Sequence, residues 1–249
     1  MACSNPHDLP LATREPIYMV VGSKGGIGKS MLTIVTIDQL RLMGKRVLYF
    51  ESDTSNPDVW MCMQIDPENE PGKTIDGVTT YTVRLDEEQS WVDLVTAIDE
   101  HPDHAVVIGT AAGSIEVIQK HGHILRELLP ELQRNLVSLW VIDEQRDSIN
   151  LLREHLAIFP HHEIHVIKNS KHGPDSFGLY EASKVRTSIE SKGGLSITMP
   201  RLGLGIVTKL YSDRLAISQA LEVLPMANRY LLTNFRNACG RALAPILKP

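Results

Sequence analysis

Cysteine is scarce in this chain: Cys3, Cys62 and Cys239 are the only three in 249 residues, and no two form a CxxC pair. That excludes a disulfide framework and a four-ligand zinc site, and it fits a reducing compartment. Positive charge is not in excess either, since 25 Lys and Arg stand against 30 Asp and Glu, a net charge of −5. Coating of nucleic acid by bulk charge is therefore excluded, although a local basic patch is not. No apolar run approaches the ~18 residues that signal a membrane span. The opening residues, MACSNPHDLPLATREP, lack the basic start and apolar run of a secretory signal. Internal repeats and low-complexity linkers are absent. The expectation is a soluble, cytoplasmic protein with no membrane partner.

What remains is an ordinary globular composition, 43% hydrophobic and 22% charged, enough to bury a sizeable core. Residues 1–15 read as a flexible N-terminal arm, and residues 16–249 as one domain. Within that domain short apolar runs alternate with helical patterns. Ile17 to Val21, Arg46 to Phe50, Thr79 to Arg84, Ala105 to Ile108, Leu136 to Ile142 and Ile164 to Ile167 are the expected strands, with a short extended piece before Pro200. Helices are expected over Ser30 to Met43, Trp91 to Glu100, Ile115 to Leu132 (interrupted near Gly122), Ser148 to Ala157, Tyr180 to Glu190, Asp213 to Leu221 and Met226 to Leu247. Strand–helix alternation with near-continuous apolar strands implies an α/β fold with a mostly parallel central sheet and helices on both faces. Ligands of such sheets bind beyond the carboxyl ends of the strands.

The stretch VVGSKGGIGKS, residues 20–30, follows the first strand and opens the first helix. Glycines let the backbone wrap phosphates, a lysine reaches the terminal phosphates, and a Ser or Thr hydroxyl serves magnesium. The helix N-terminus adds a matched partial positive charge. Lys29 and Ser30 fill the last two roles, and Gly25, Gly26, Ile27, Gly28 and Met31 complete the cofactor-binding loop. A second lysine, Lys24, is surplus to that account. The pattern Lys-Gly-Gly-x-Gly-Lys-Ser, from Lys24 to Ser30, resembles the deviant-Walker P-loop ATPases of the ParA/MinD superfamily. The resemblance implies a P-loop NTPase fold that binds ATP and Mg2+. It implies that Lys24 reaches the nucleotide of a second copy across a nucleotide-dependent homodimer. Asp53, in the acidic turn after the second strand (ESDTSNP, residues 51–57), matches a family aspartate that positions the attacking water, and joins Ser30 as a candidate metal-site residue. Glu51 stands where the family has another aspartate.

The third motif departs from the family. After Ala105 to Ile108 the chain reads Gly109-Thr110-Ala111-Ala112-Gly113, and Gly109 replaces the aspartate that organises magnesium. Three readings are open: Asp53 or Glu51 compensates, the protein hydrolyses ATP slowly and acts as a nucleotide-held switch, or the alignment is displaced by a turn. Asn169 matches an adenine-contacting asparagine, while Asn169-Ser170-Lys171-His172 is no guanine reader, so ATP is expected over GTP. His161, His162 and His165 are read as a loop entering a strand, not as a metal site. The last helix, which contains Gly240 and Pro245, is read as a packing helix. Lys184, Arg186, Lys192, Arg201, Lys209 and Arg214 are candidates for a DNA-binding surface. The resemblance thus implies a switch acting on DNA or a partner protein, in plasmid partition, positioning or conjugation. A metabolic ligase or kinase on the same fold and a non-hydrolysing nucleotide scaffold are the alternatives.

Overall fold

The computed structural model describes residues 14–64, 75, 77–169 and 177–247. Residues 1–13 of the expected arm, and Ser170 to His172, lie outside them. Arg14 and Glu15 are tied to the body of the protein, Arg14 to Asp99 (3.0 Å) and Glu15 to Lys45 (2.7 Å).

Seven strands form one sheet: β1 (Ile17–Gly22), β2 (Arg46–Glu51), β3 (Val78–Thr82), β4 (His104–Gly109), β5 (Leu136–Ile142), β6 (Glu163–Asn169) and β7 (Ser196–Met199). Their order is β3-β2-β4-β1-β5-β6-β7, and every pairing is parallel. All the residues of β1, β4 and β5 are buried, because each strand is apolar on both faces and helices cover both. On one face Tyr18, Val20, Tyr49 and Val107 pack against α1 (Lys29–Leu42), α2 (Asp58–Met63), α9 (Leu204–Ser212), α10 (Ile217–Val223) and α11 (Met226–Leu243). On the other, Met19, Phe50, Ile108 and Trp140 pack against α3 (Glu88–Glu100), α4 (Ile115–His121), α5 (His123–Leu132), α6 (Arg146–Ile158) and α8 (Lys184–Glu190). A short α7 (Gly178–Glu181) precedes α8. The expected fold class is therefore found, with all seven strands parallel.

Several boundaries differ from expectation, each for a local reason. The helix expected over Asp213 to Leu221 begins only at Ile217, as α10, and α9, which ends at Ser212, lies where no helix was expected. Arg214 takes the left-handed conformation (φ 53°), and Leu215 N donates to Leu210 O at 2.8 Å, a closure that ends a helix. The helix expected over Tyr180 to Glu190 is divided at Ser183, whose hydroxyl accepts from Arg186 N and starts α8 afresh. Helix α2 was not expected at all. Helix α11 stops at Leu243, before Pro245, and buries Leu232, Phe235 and Cys239 in the core as a packing helix should. No helix among the described residues is long and apolar enough to cross a membrane.

A fully buried histidine makes the core sensitive to acid. His155 of α6 is fully buried, its ring against Trp140 and Phe159 and its Nε2 2.9 Å from Ser138 Oγ. Burial pushes its pKa down to about 3, from 6.5. The unfolded chain therefore binds a proton between those values that the folded chain refuses. This contribution to stability is complete above about pH 6.5 and is lost as pH falls toward 3. We expect the urea midpoint to fall between pH 7 and pH 5, and His155→Phe to reduce the slope.

Candidate functional site

Every expected site residue sits at the carboxyl edge of the sheet or just beyond it. Strand β1 ends at Gly22, and the chain loops over residues 23–28 before α1 starts at Lys29. Gly28 has φ 108°, and a Cβ there would stand 2.1 Å from Asn169 Nδ2. Only glycine satisfies both the backbone and that close approach. The Asn169 amide donates to Ile27 O at 2.8 Å, which ties the end of β6 to the loop.

Beneath the loop lies a cavity of about 580 Å³, within the range of small-molecule sites. Gly25, Gly26, Gly28, Lys29, Ser30 and Met31 form one wall, and Asp53, Asn169, Gly109 and Thr110 line it as well. Two expected site residues are not part of the lining. Ile27 is buried, its carbonyl engaged by Asn169. Lys24 turns away: its Nζ lies 2.9 Å from Asp143 Oδ2, at a carboxylate only 1% exposed just beyond β5.

Lys29 is buried and its Nζ donates to Lys24 O at 2.7 Å. Burial lowers its pKa, an effect that nearby Asp53 opposes. Among the described residues no carboxylate lies within ion-pair distance of it. A buried cation at the start of a helix, in the wall of a cavity, is a donor that suits an anion. Asp53 itself sits in a tight turn, its Oδ1 accepting from Asn56 N at 3.0 Å.

The structure adds a residue that the motifs did not single out: Tyr49, on β2, lines the same cavity, as does Glu51. The Tyr49 hydroxyl donates to Glu51 Oε2 at 2.6 Å, and Asp53 N donates to Glu51 Oε1 at 2.9 Å. Burial raises the Glu51 pKa, with these hydrogen bonds opposing it, and raises that of Tyr49 well above its ordinary value. Ser52 N donates to Gly109 O (3.0 Å) and Ala111 N to Ser52 Oγ (3.1 Å), which fastens the acidic turn to the end of β4. Thr110 Oγ1 donates to Val20 O at 2.8 Å, joining β4 to β1. Asp143 could have been found from its place after a wholly buried strand. Tyr49 carries no such signal.

ATP and magnesium fit this chemistry. Lys29 in the cavity wall is a cationic donor of the kind that phosphates accept. Among the described residues no three His, Cys, Asp or Glu cluster as a metal cage. Magnesium is commonly held by one or two protein oxygens together with phosphates and water, and Ser30, Asp53 and Glu51 offer such oxygens.

His165 and two of the basic candidates have local partners. His165 Nε2 meets Glu163 Oε1 at 2.8 Å, and its Nδ1 accepts from Leu195 N at 3.0 Å, so both ring nitrogens are used in packing β6. Arg186 is paired with Glu181 and Glu190, and Lys209 with Asp213. Arg201 lines the cavity. Of the six basic candidates, two are thus engaged in local ion pairs and one lines the cavity.

Known proteins place the chain. No family model matches it. Protein MobD of Acidithiobacillus ferrooxidans is 41% identical over 234 residues, covering 94% of this chain and 98% of MobD. Among solved structures, the MinD cell division protein of Aquifex aeolicus superposes with a TM-score of 0.56 at 16% identity, covering 94% of this chain and 98% of that one. The cell division ATPase MinD of Pyrococcus furiosus gives 0.58 at 12% identity, over 91% and 98%. At such identities the solved structures establish the fold, and the sequence relative establishes the kinship. The chain belongs to the MobD family, built on the P-loop fold of the MinD ATPases.

Proposed function

We propose that this protein is an ATP-binding dimerisation switch. ATP with Mg2+ occupies the cavity under the loop, Lys29 and the loop amides hold the phosphates, and Ser30 and Asp53 face the metal. Asn169 stands at the base end. Two chains then meet across their nucleotides, Lys24 of each serving the other's phosphates. The dimer acts on DNA or a partner protein in partition or conjugative transfer, and slow hydrolysis or loss of ATP resets it.

The observation that carries this reading is the contrast between the two loop lysines. Lys29 is buried in the wall of its own cavity, whereas Lys24 lies outside that lining and rests on Asp143. A lysine committed to its own nucleotide or to a small co-substrate belongs in the cavity. One held at the rim is placed to leave it. The MobD kinship and the MinD fold support the same class of function.

Sedimentation with ATP and Mg2+ tests the proposal. The wild-type protein is expected to dimerise only with nucleotide. Lys24→Ala is expected to bind ATP about as tightly and to remain monomeric. Intact nucleotide-dependent dimers in that variant would remove Lys24 from the interface and overturn the switch. A monomer that turns over ATP with a small acid would identify a ligase instead.

A further inference from the structure

Gly109 and Tyr49 occupy one space. On the face of the sheet covered by α1, β4 ends at Gly109, beside Glu51 of β2 in the parallel register. A Cβ on residue 109 would stand 2.8 Å from the Tyr49 hydroxyl oxygen and 3.2 Å from its Cε2. Contacts that short do not occur unless something moves, and Tyr49 is fully buried with its hydroxyl committed to Glu51. The absence of a side chain at 109 therefore admits the phenol to the floor of the cavity.

Glu51 differs from the other carboxylates that line this cavity. Asp53 and Asp58 stand beyond β2, on the turn and at the start of α2, and both accept hydrogen bonds from Asn56. Glu51 is on the strand itself and only 4% exposed. Each of its oxygens receives a donor: Tyr49 Oη on Oε2, Asp53 N on Oε1. A buried carboxylate fixed in this way is preorganised, since its orientation need not be gained when a ligand arrives.

We propose that the Tyr49–Glu51 pair is the acidic element of the nucleotide site, with Glu51 orienting the water shell of the nucleotide's divalent cation and Tyr49 positioning Glu51. Gly109 is part of the same device because it makes room for the phenol. This inference rests on the nucleotide-binding reading above. Tyr49 is a positioning residue: it acts through Glu51 and need not touch the metal. A carboxylate held by a buried donor is the arrangement by which outer partners tune metal affinity, commonly by ~10–100-fold.

The test is the dependence of nucleotide affinity on magnesium, measured by titrating a fluorescent, non-hydrolysable ATP analogue in EDTA and again across a Mg2+ series. Wild type is expected to bind more tightly as Mg2+ rises. Glu51→Gln is expected to keep the affinity seen in EDTA and to need ~10–100-fold more Mg2+ to reach its plateau. Tyr49→Phe retains the ring beside Gly109 and so preserves packing. It is expected to shift the Mg2+ requirement the same way, by about ten-fold. A role confined to bracing the turn would alter folding or the EDTA affinity and leave the Mg2+ requirement alone. An unchanged Mg2+ requirement in both variants, beside normal nucleotide binding by wild type, overturns this inference alone. Failure of wild type to bind nucleotide in either medium overturns it together with the proposed function.

Discussion

Lys29→Met is expected to remove ATP binding while leaving the nucleotide-free protein at least as stable as wild type. Deleting one partner of a buried, hydrogen-bonded charge pair costs ~2–5 kcal/mol, which is roughly thirty-fold to several-thousand-fold in affinity. Lys29 meets the conditions for the upper half of that range, because its ammonium is buried and is placed where phosphates would arrive. Burial lowers its pKa, because the charged form is held away from water. Removing the charge relieves that desolvation, and methionine keeps the apolar stem packed. Calorimetric titration with ATP and Mg2+, paired with urea unfolding of the free protein, checks both halves. Affinity within about three-fold of wild type would show that the anion lies elsewhere.

Arg236→Ala is expected to be the most destabilising single change on the α1–α11 contact. Arg236 of α11 grips Asp38 of α1 with two hydrogen bonds, Nη2 to Oδ1 at 2.7 Å and Nε to Oδ2 at 2.8 Å. The Asp38 side chain is only 4% exposed. Removing one member of a buried pair strands the other charge and costs about 3–5 kcal/mol. Replacing both members by apolar side chains of similar size is often neutral. Asp38→Leu combined with Arg236→Met should therefore recover most of the loss. Urea denaturation of the two single variants and the double variant measures this. A loss below ~1 kcal/mol in Arg236→Ala would mean that water and the Gln39 amide, which already donates to Asp38 Oδ2 at 3.3 Å, suffice for the carboxylate.

The strands were readable from sequence because they are buried on both faces and so read as unbroken apolar runs. Leu136–Ile142 matches the expected span, and Ile17–Gly22, Arg46–Glu51 and His104–Gly109 each differ from theirs by only one or two terminal residues. Helix boundaries in the last third were harder. The break between α9 and α10 depends on Arg214 adopting a left-handed conformation, which arginine does not advertise. In the site, local motifs were legible because phosphate chemistry demands particular residues at fixed spacing. Gly25, Gly26, Gly28, Lys29, Ser30 and Met31 do assemble in one wall, with Asp53 and Asn169 in the same cavity. Contacts between neighbouring strands were not legible. Tyr49 reaches the site only because β2 lies beside β4 in a register that sets Glu51 against Gly109. Asp143 meets Lys24 only because β5 lies beside β1.

The shared space at Gly109 and Tyr49 also constrains how this sequence can change over time. A mutation that returns any side chain to position 109 meets the Tyr49 phenol, while a mutation that first shrinks Tyr49 leaves a hole in the core and Glu51 without its donor. Each step alone is therefore expected to cost stability, whereas the paired change need not, and that would set a barrier between the two combinations. Within this family, glycine at 109 should be inherited together with tyrosine at 49, each residue keeping the other in place.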